Sequence, residues 1–133
     1  MSEFELIYLF NEFFNTAYAR LNDFMVGLFG MLAAGYFAAG KLSRTMALLV
    51  AGLYTIFSVA TIVPAIAATD RMILASQQVS LLASQPGSDL AALISILPNR
   101  TLVVPVMTML LVAAYTGAMV FFFQARKDAN ALA

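Results

Sequence analysis

The chain has 133 residues, 62% of them hydrophobic and 11% charged, with no net charge; an average soluble domain carries about 25% charged residues. This is the composition of a membrane protein, and the balanced charge gives no basis for nucleic acid as a partner. Cysteine, histidine and tryptophan are all missing, which removes disulfides, thiolate and imidazole catalysis and the usual zinc, copper and haem ligands, so neither a cofactor nor a metal site is expected.

The opening "MSEFELIYLF" is acidic and has no basic n-region of a cleaved signal peptide, so it is read as part of the mature protein. Ser2 and Glu5 fit a capping box, in which each side chain satisfies a backbone N–H at a helix start. From there Leu6, Phe10, Phe13, Ala17, Leu21 and Phe24 recur every three or four residues, while Glu5, Glu12, Asn15, Asn22 and Asp23 fall elsewhere. That spacing predicts an amphipathic helix. Its stripe continues without a phase break into the charge-free segment Phe24 to Gly40, so one helix is expected over residues 3–40, with Gly40 as its C-cap. At 1.5 Å per residue it is roughly 55 Å long, well beyond the roughly 30 Å hydrocarbon core of a bilayer.

Ser43 is the expected N-cap of a second helix over residues 43–84, whose charge-free part runs from Thr45 to Thr69 and which Pro64 is expected to kink. Past Asp70 and Arg71, Ala68, Met72, Ala75, Val79 and Leu82 keep the spacing of an apolar stripe, with Ile73, Leu74 and Leu81 off it. After "QPGSD" a short helix is expected over residues 89–97, begun by Ser88 or Asp89 and broken by "PNR". Asn99 or Thr101 then starts a third long helix over residues 100–127, charge-free from Thr101 to Ala125, with Pro105 near its start where a missing N–H costs least. "NRT" at 99–101 also matches a glycosylation acceptor, although capping alone accounts for Asn99.

A crossing needs about 20 apolar residues. The expected fold is therefore an all-α integral membrane protein: three long antiparallel transmembrane helices, in one domain, that extend outside the bilayer into a small helical cap. The cap explains the overrun, because a stripe of large apolar side chains left in water costs about 25 cal/mol per Å². Lys41 and Arg44 in the first link and Arg126 and Lys127 in the aromatic and basic segment "FFFQARK" mark the cytoplasmic side by the positive-inside rule. This sets the N-terminus outside and the C-terminus in the cytoplasm, in a bacterial inner membrane.

Small residues form ladders within the spans: Gly27, Gly30, Ala34 and Ala38 on the first, and Ala113 and Gly117 on the third. Such ladders let backbones approach closely, the main source of helix association in lipid. Met31, Gly35 and Ala39 form a second strip beside the first. One strip serves the helices of the same chain, and the other is left to meet a neighbour. Arg20, Asp23, Asp70, Arg71 and Arg100 are expected to form a salt-bridged collar where the helices leave the bilayer, and Thr108, Tyr115 and Thr116 a partial polar lining. With no acidic or basic side chain inside any span, a pump or proton-coupled transporter is not expected.

These features point to a non-catalytic accessory or scaffold subunit whose partners are membrane lipids and further copies of itself or other membrane-protein subunits. The alternative is a channel or permeabilising pore. Three spans, an outer N-terminus, a basic inner C-terminus and small size resemble, in topology alone, one class of phage holins, which oligomerise to permeabilise the inner membrane.

Overall fold

The computed structural model describes residues 2–84 and 99–132, without the side chains of Glu3, Ala83 and Arg100. Among the described residues the chain is all-helical, with three helices and no strand: α1 (Glu3–Phe37), α2 (Arg44–Ala83) and α3 (Arg100–Ala131). The short helix expected over 89–97, with its caps Ser88 and Asp89, lies outside the described residues.

Local chemistry accounts for each helix start. The Ser2 N–H donates to Glu5 Oε2 at 2.8 Å and the Glu5 N–H donates to Ser2 Oγ at 3.3 Å, closing the capping box. The Met46 N–H donates to Ser43 Oγ at 3.3 Å, and the Thr101 N–H to Asn99 Oδ1 at 3.1 Å. Each cap satisfies a donor that has no partner inside its helix. The end of α1 differs from expectation: the helix stops at Phe37 rather than near Gly40, and the Lys41 and Leu42 N–H groups both turn back onto the Ala38 carbonyl. α2 runs through Pro64 unbroken, although the ring leaves the Ala60 carbonyl without its usual donor. α3 continues past residue 127 to Ala131.

Contacts divide the chain into two compact units, Met1–Arg20 with Pro64–Thr108, and Leu21–Val63 with Met109–Ala133. In the first unit Leu6 and Ala17 are buried on α1, and Ala65, Ala68, Ile73, Ala75 and Val79 on α2. The α1 stripe is thus oriented as its periodicity predicts, with Phe10 and Phe13 half-buried. On α2 the buried arc is wider than expected, since Ile73, placed off the stripe, is fully buried. The reason lies in its polar neighbours. Thr69 Oγ1 donates to the Ala65 carbonyl at 2.8 Å and Ser76 Oγ to the Ile73 carbonyl at 2.6 Å, which lets both side chains sit inside without an unmet hydroxyl proton. Thr69 also lies 3.4 Å from Met107 Sδ, tying α2 to α3.

In the second unit the core is Met31, Ala39, Ala47, Tyr54, Ala118 and Phe122, with Leu28, Leu32, Ala34 and Val50 against it. Gly35 faces Phe121 and Phe122 of α3, and Gly40 faces Ala129. Increasing positions on α1 therefore meet increasing positions on α3. Within this unit the two run in the same direction, and α2, joined to α1 by a short link, runs against them.

Two outcomes are expected. Phe24 is 1% exposed and Phe29 62% exposed, so Phe24→Ala should cost about 3–5 kcal/mol in unfolding measured in mild detergent, and Phe29→Ala less than about 1 kcal/mol. The Ser2 N–H bond, then the Ser2 hydroxyl, holds the Glu5 carboxyl below its ordinary value of 4.5. Its contribution is present above pH 4.5 and lost as pH falls through the lowered value. The Cα chemical shifts of the first turn should therefore move toward coil in acid, and those of Glu5→Gln should not titrate there.

Candidate functional site

The second unit holds a cluster of hydroxyls among apolar side chains. Tyr54 and Tyr115 stack with ring centroids 5.5 Å apart and an interplanar angle of 18°. Thr55 Oγ1 lies 2.8 Å from Tyr115 Oη and donates to the Ala51 carbonyl at 2.8 Å. With the threonine proton engaged by its own helix, Tyr115 is the donor of the interhelical bond. Tyr54 Oη and Ser58 Oγ, one turn apart on the same face of α2, are buried with no hydrogen-bond partner among the described residues. Thr61 Oγ1, a turn further on, spends its proton on the Phe57 and Ser58 carbonyls.

Of the three residues expected to form a polar lining, Tyr115 is therefore half-buried and bonded inward to Thr55. Thr108 and Thr116 donate to the Val104 and Val112 carbonyls of their own helix, each at 2.8 Å. A hydroxyl bonded in this way offers only lone pairs to anything passing it.

The small residues separate into two kinds. A Cβ on Gly27 would clash with the Phe57 ring, one on Gly35 would press on Phe121, and one on Gly40 would clash with Ala129. These three let neighbouring helices or the chain's own tail approach. Gly30 and Gly117 have nothing within 4 Å of an added Cβ, and Gly52 of α2 is open in the same way. Ala113 is exposed, while Ala34 and Ala38 are half-buried. The strip Met31, Gly35, Ala39 is buried within the chain. Gly30 lies in a shallow groove of about 360 Å³ lined by Val26, Ala34, Val50, Leu53 and Phe57, which is open to the surroundings.

Of the expected collar, Arg20 and Arg71 in the first unit are exposed and Asp70 is half-buried; Asp23, in the second unit, is exposed. The Arg100 side chain lies outside the described residues. Among the described residues no three side chains of His, Cys, Asp or Glu come together in a way that could hold a metal ion.

Two surfaces escaped the sequence reading. On α1 of the first unit, Phe4, Ile7, Tyr8, Phe14 and Tyr18 are exposed along one face, distinct from the buried stripe. On α3, Tyr115, Met119, Phe123 and Lys127 recur every fourth residue along a groove. The spacing was available in both cases, but spacing does not tell a covered face from an open one.

Comparison with protein families, with curated proteins and with solved structures gives no match.

The Tyr115–Thr55 bond is open to a direct check. A double-mutant cycle with Thr55→Val and Tyr115→Phe should give a coupling of about 0.6 kcal/mol, the average for side-chain hydrogen bonds between packed apolar helices, and no more than about 1.7 kcal/mol. Additive losses would remove the bond from the account.

Proposed function

We propose that the chain is a small, non-catalytic integral membrane protein that serves as an accessory or scaffold subunit, assembled with copies of itself or within a complex. One observation carries the membrane part of this reading. α2 and α3 are each long and apolar enough to cross a bilayer, yet only 28% and 17% of their most apolar stretches is buried. The core helix of a soluble protein would be mostly covered. Here Leu49, Leu53, Ile56, Val63, Met109 and Leu110 all face outward, and so broad an apolar exterior favours association or aggregation in water.

α1 supplies the third crossing in this reading. Its charge-free helical part runs only from Phe24 to Phe37, short of the about 20 residues a crossing needs. Ala38, Ala39 and Gly40 of the link are also free of charge and bring the segment to the lower end of the about 17–25 residues that span a bilayer. The basic link and tail then lie in the cytoplasm of a bacterium, by the rule that positive residues stay inside.

Assembly is supported by Gly30, Gly52 and Gly117, which open onto unoccupied surface rather than onto the chain's own helices. Lipid tails pack poorly into such hollows, whereas another helix makes close backbone contact there. The competing pore reading needs free polar groups along one face. Thr108, Thr116 and Tyr115 have their protons engaged, which favours the subunit reading.

Gly30 is the better position for a test than Ala34, because Ala34 packs on the core of its own unit. The parent protein in mild detergent should have a mass above that of one chain, or carry a co-purifying protein, and Gly30→Leu should fall to the mass of one chain with unchanged helicity. A parent that is monomeric and without partners would defeat the subunit reading. Ion leakage from liposomes containing the parent would move the reading to the pore.

A further inference from the structure

We propose that the face of α3 from Tyr115 to Lys127 binds one anionic phospholipid, with an acyl chain along the apolar part and the phosphate at Lys127. The proposal rests on the membrane reading given above. Tyr115, Met119, Phe123 and Lys127 form one row at intervals of four residues, and Thr116, Val120 and Gln124 form a second row beside it. Residues so spaced lie along one face of an α-helix. Between the rows runs a groove of about 420 Å³.

The polarity of this groove is graded along its length. At the far end the Tyr115 hydroxyl is turned to Thr55 and the Thr116 hydroxyl gives its proton to the Val112 carbonyl, so neither offers a ligand a donor there. Met119, Val120 and Phe123 continue the apolar surface, and only Gln124 and Lys127 bring polar ends to the groove. From residue 115 to 127 the helix rises about 18 Å, close to half of the roughly 30 Å hydrocarbon core. The dimensions and polarity are those of one leaflet: a tail, then a headgroup.

Charge selects the headgroup. The Gly40 backbone sits against Ala129, which brings the link carrying Lys41 to the end of α3 that carries Arg126 and Lys127. The two segments that meet there carry Lys41 and Arg126, Lys127 and Asp128, and Arg44 opens α2 just beyond the link. Lys127 is exposed, and no hydrogen bond or ion pair among the described residues holds it, so its long stem is free to follow the apolar surface while the ammonium reaches a phosphate. The Gln124 amide, one turn back on the adjacent row, supplies donors and an acceptor for a headgroup hydroxyl. A zwitterionic headgroup gains little net attraction from such a cluster, whereas an anionic one gains about five-fold in affinity for each basic residue near the surface.

The experiment uses the full chain purified in mild detergent, offered phosphatidylglycerol or phosphatidylcholine, with bound lipid read by native mass spectrometry. One phosphatidylglycerol should be retained in preference. Lys127→Gln should reduce that retention about five-fold, and Lys127→Arg should preserve it. Equal retention of the two lipids, or a preference that Lys127→Gln leaves undiminished, overturns the lipid site. Washing membranes with alkaline carbonate keeps the two readings apart: a chain that stays in the pellet but shows no lipid preference loses the lipid site alone, and a chain released to the supernatant loses the membrane reading beneath it.

Discussion

Among the described residues alanine supplies half of the buried apolar side chains while many large ones lie outside, and the close helix packing that follows is what the rest of the structure depends on. Ala39, Ala47, Ala51 and Ala118 are buried in the second unit, and Ala17, Ala65, Ala68 and Ala75 in the first. Leu, Ile, Val and Phe occupy much of the exterior. In water this arrangement forgoes about 25 cal/mol for each Å² of apolar surface left exposed. It gains close approach between backbones, since an alanine or glycine holds helices apart less than a leucine does. Where the surroundings are themselves apolar, that approach is the principal source of attraction left to the helices.

An alanine core has a consequence for polar groups. Side chains as short as alanine fill little volume, so serine and threonine take interior positions there, and of the buried ones among the described residues all but Ser58 have their protons satisfied. Thr61, Thr69 and Ser76 satisfy theirs on carbonyls three or four residues back in the same helix. No other helix is needed for this, which is why such residues add polarity to the core without specifying a partner. Tyr115 is different because its hydroxyl extends far beyond the reach of its own backbone. It crosses to Thr55, sixty positions away in the chain, and brings its ring against Tyr54. The bond and the stack together fix the register of α2 against α3 in the second unit.

The glycines show how one residue type does two jobs. Gly27, Gly35 and Gly40 take a ring or another stretch of backbone where a Cβ would stand. Gly30, one turn from Gly27 on nearly the same face, takes nothing. A rotation of about 60° around the helix over those three residues is enough to pass from a covered surface to an open one. On α1 a larger rotation, about 100° from one residue to the next, separates the exposed Tyr18 from the buried Ala17.

What the sequence determined by itself was local. Capping at Ser2, Ser43 and Asn99 was legible because a cap is made with residues two or three positions away. The buried stripe through Leu6, Ala17 and Phe24 was legible because helical periodicity places those residues on one face. The lengths of charge-free segments told of α2 and α3 as apolar helices of crossing length. Tertiary structure decided what each face meets. Ile73 joined the core although it stands off its stripe, on a face where Thr69 and Ser76 are also buried with their protons bonded to carbonyls of their own helix. Phe121 came to rest against Gly35, and α1 ended at Phe37 so that the link could fold Gly40 against Ala129. Periodicity follows from the geometry of one helix, and so a sequence carries it. Coverage depends on residues distant in the chain that fold beside it, and only their packing settles which of two similar faces is filled.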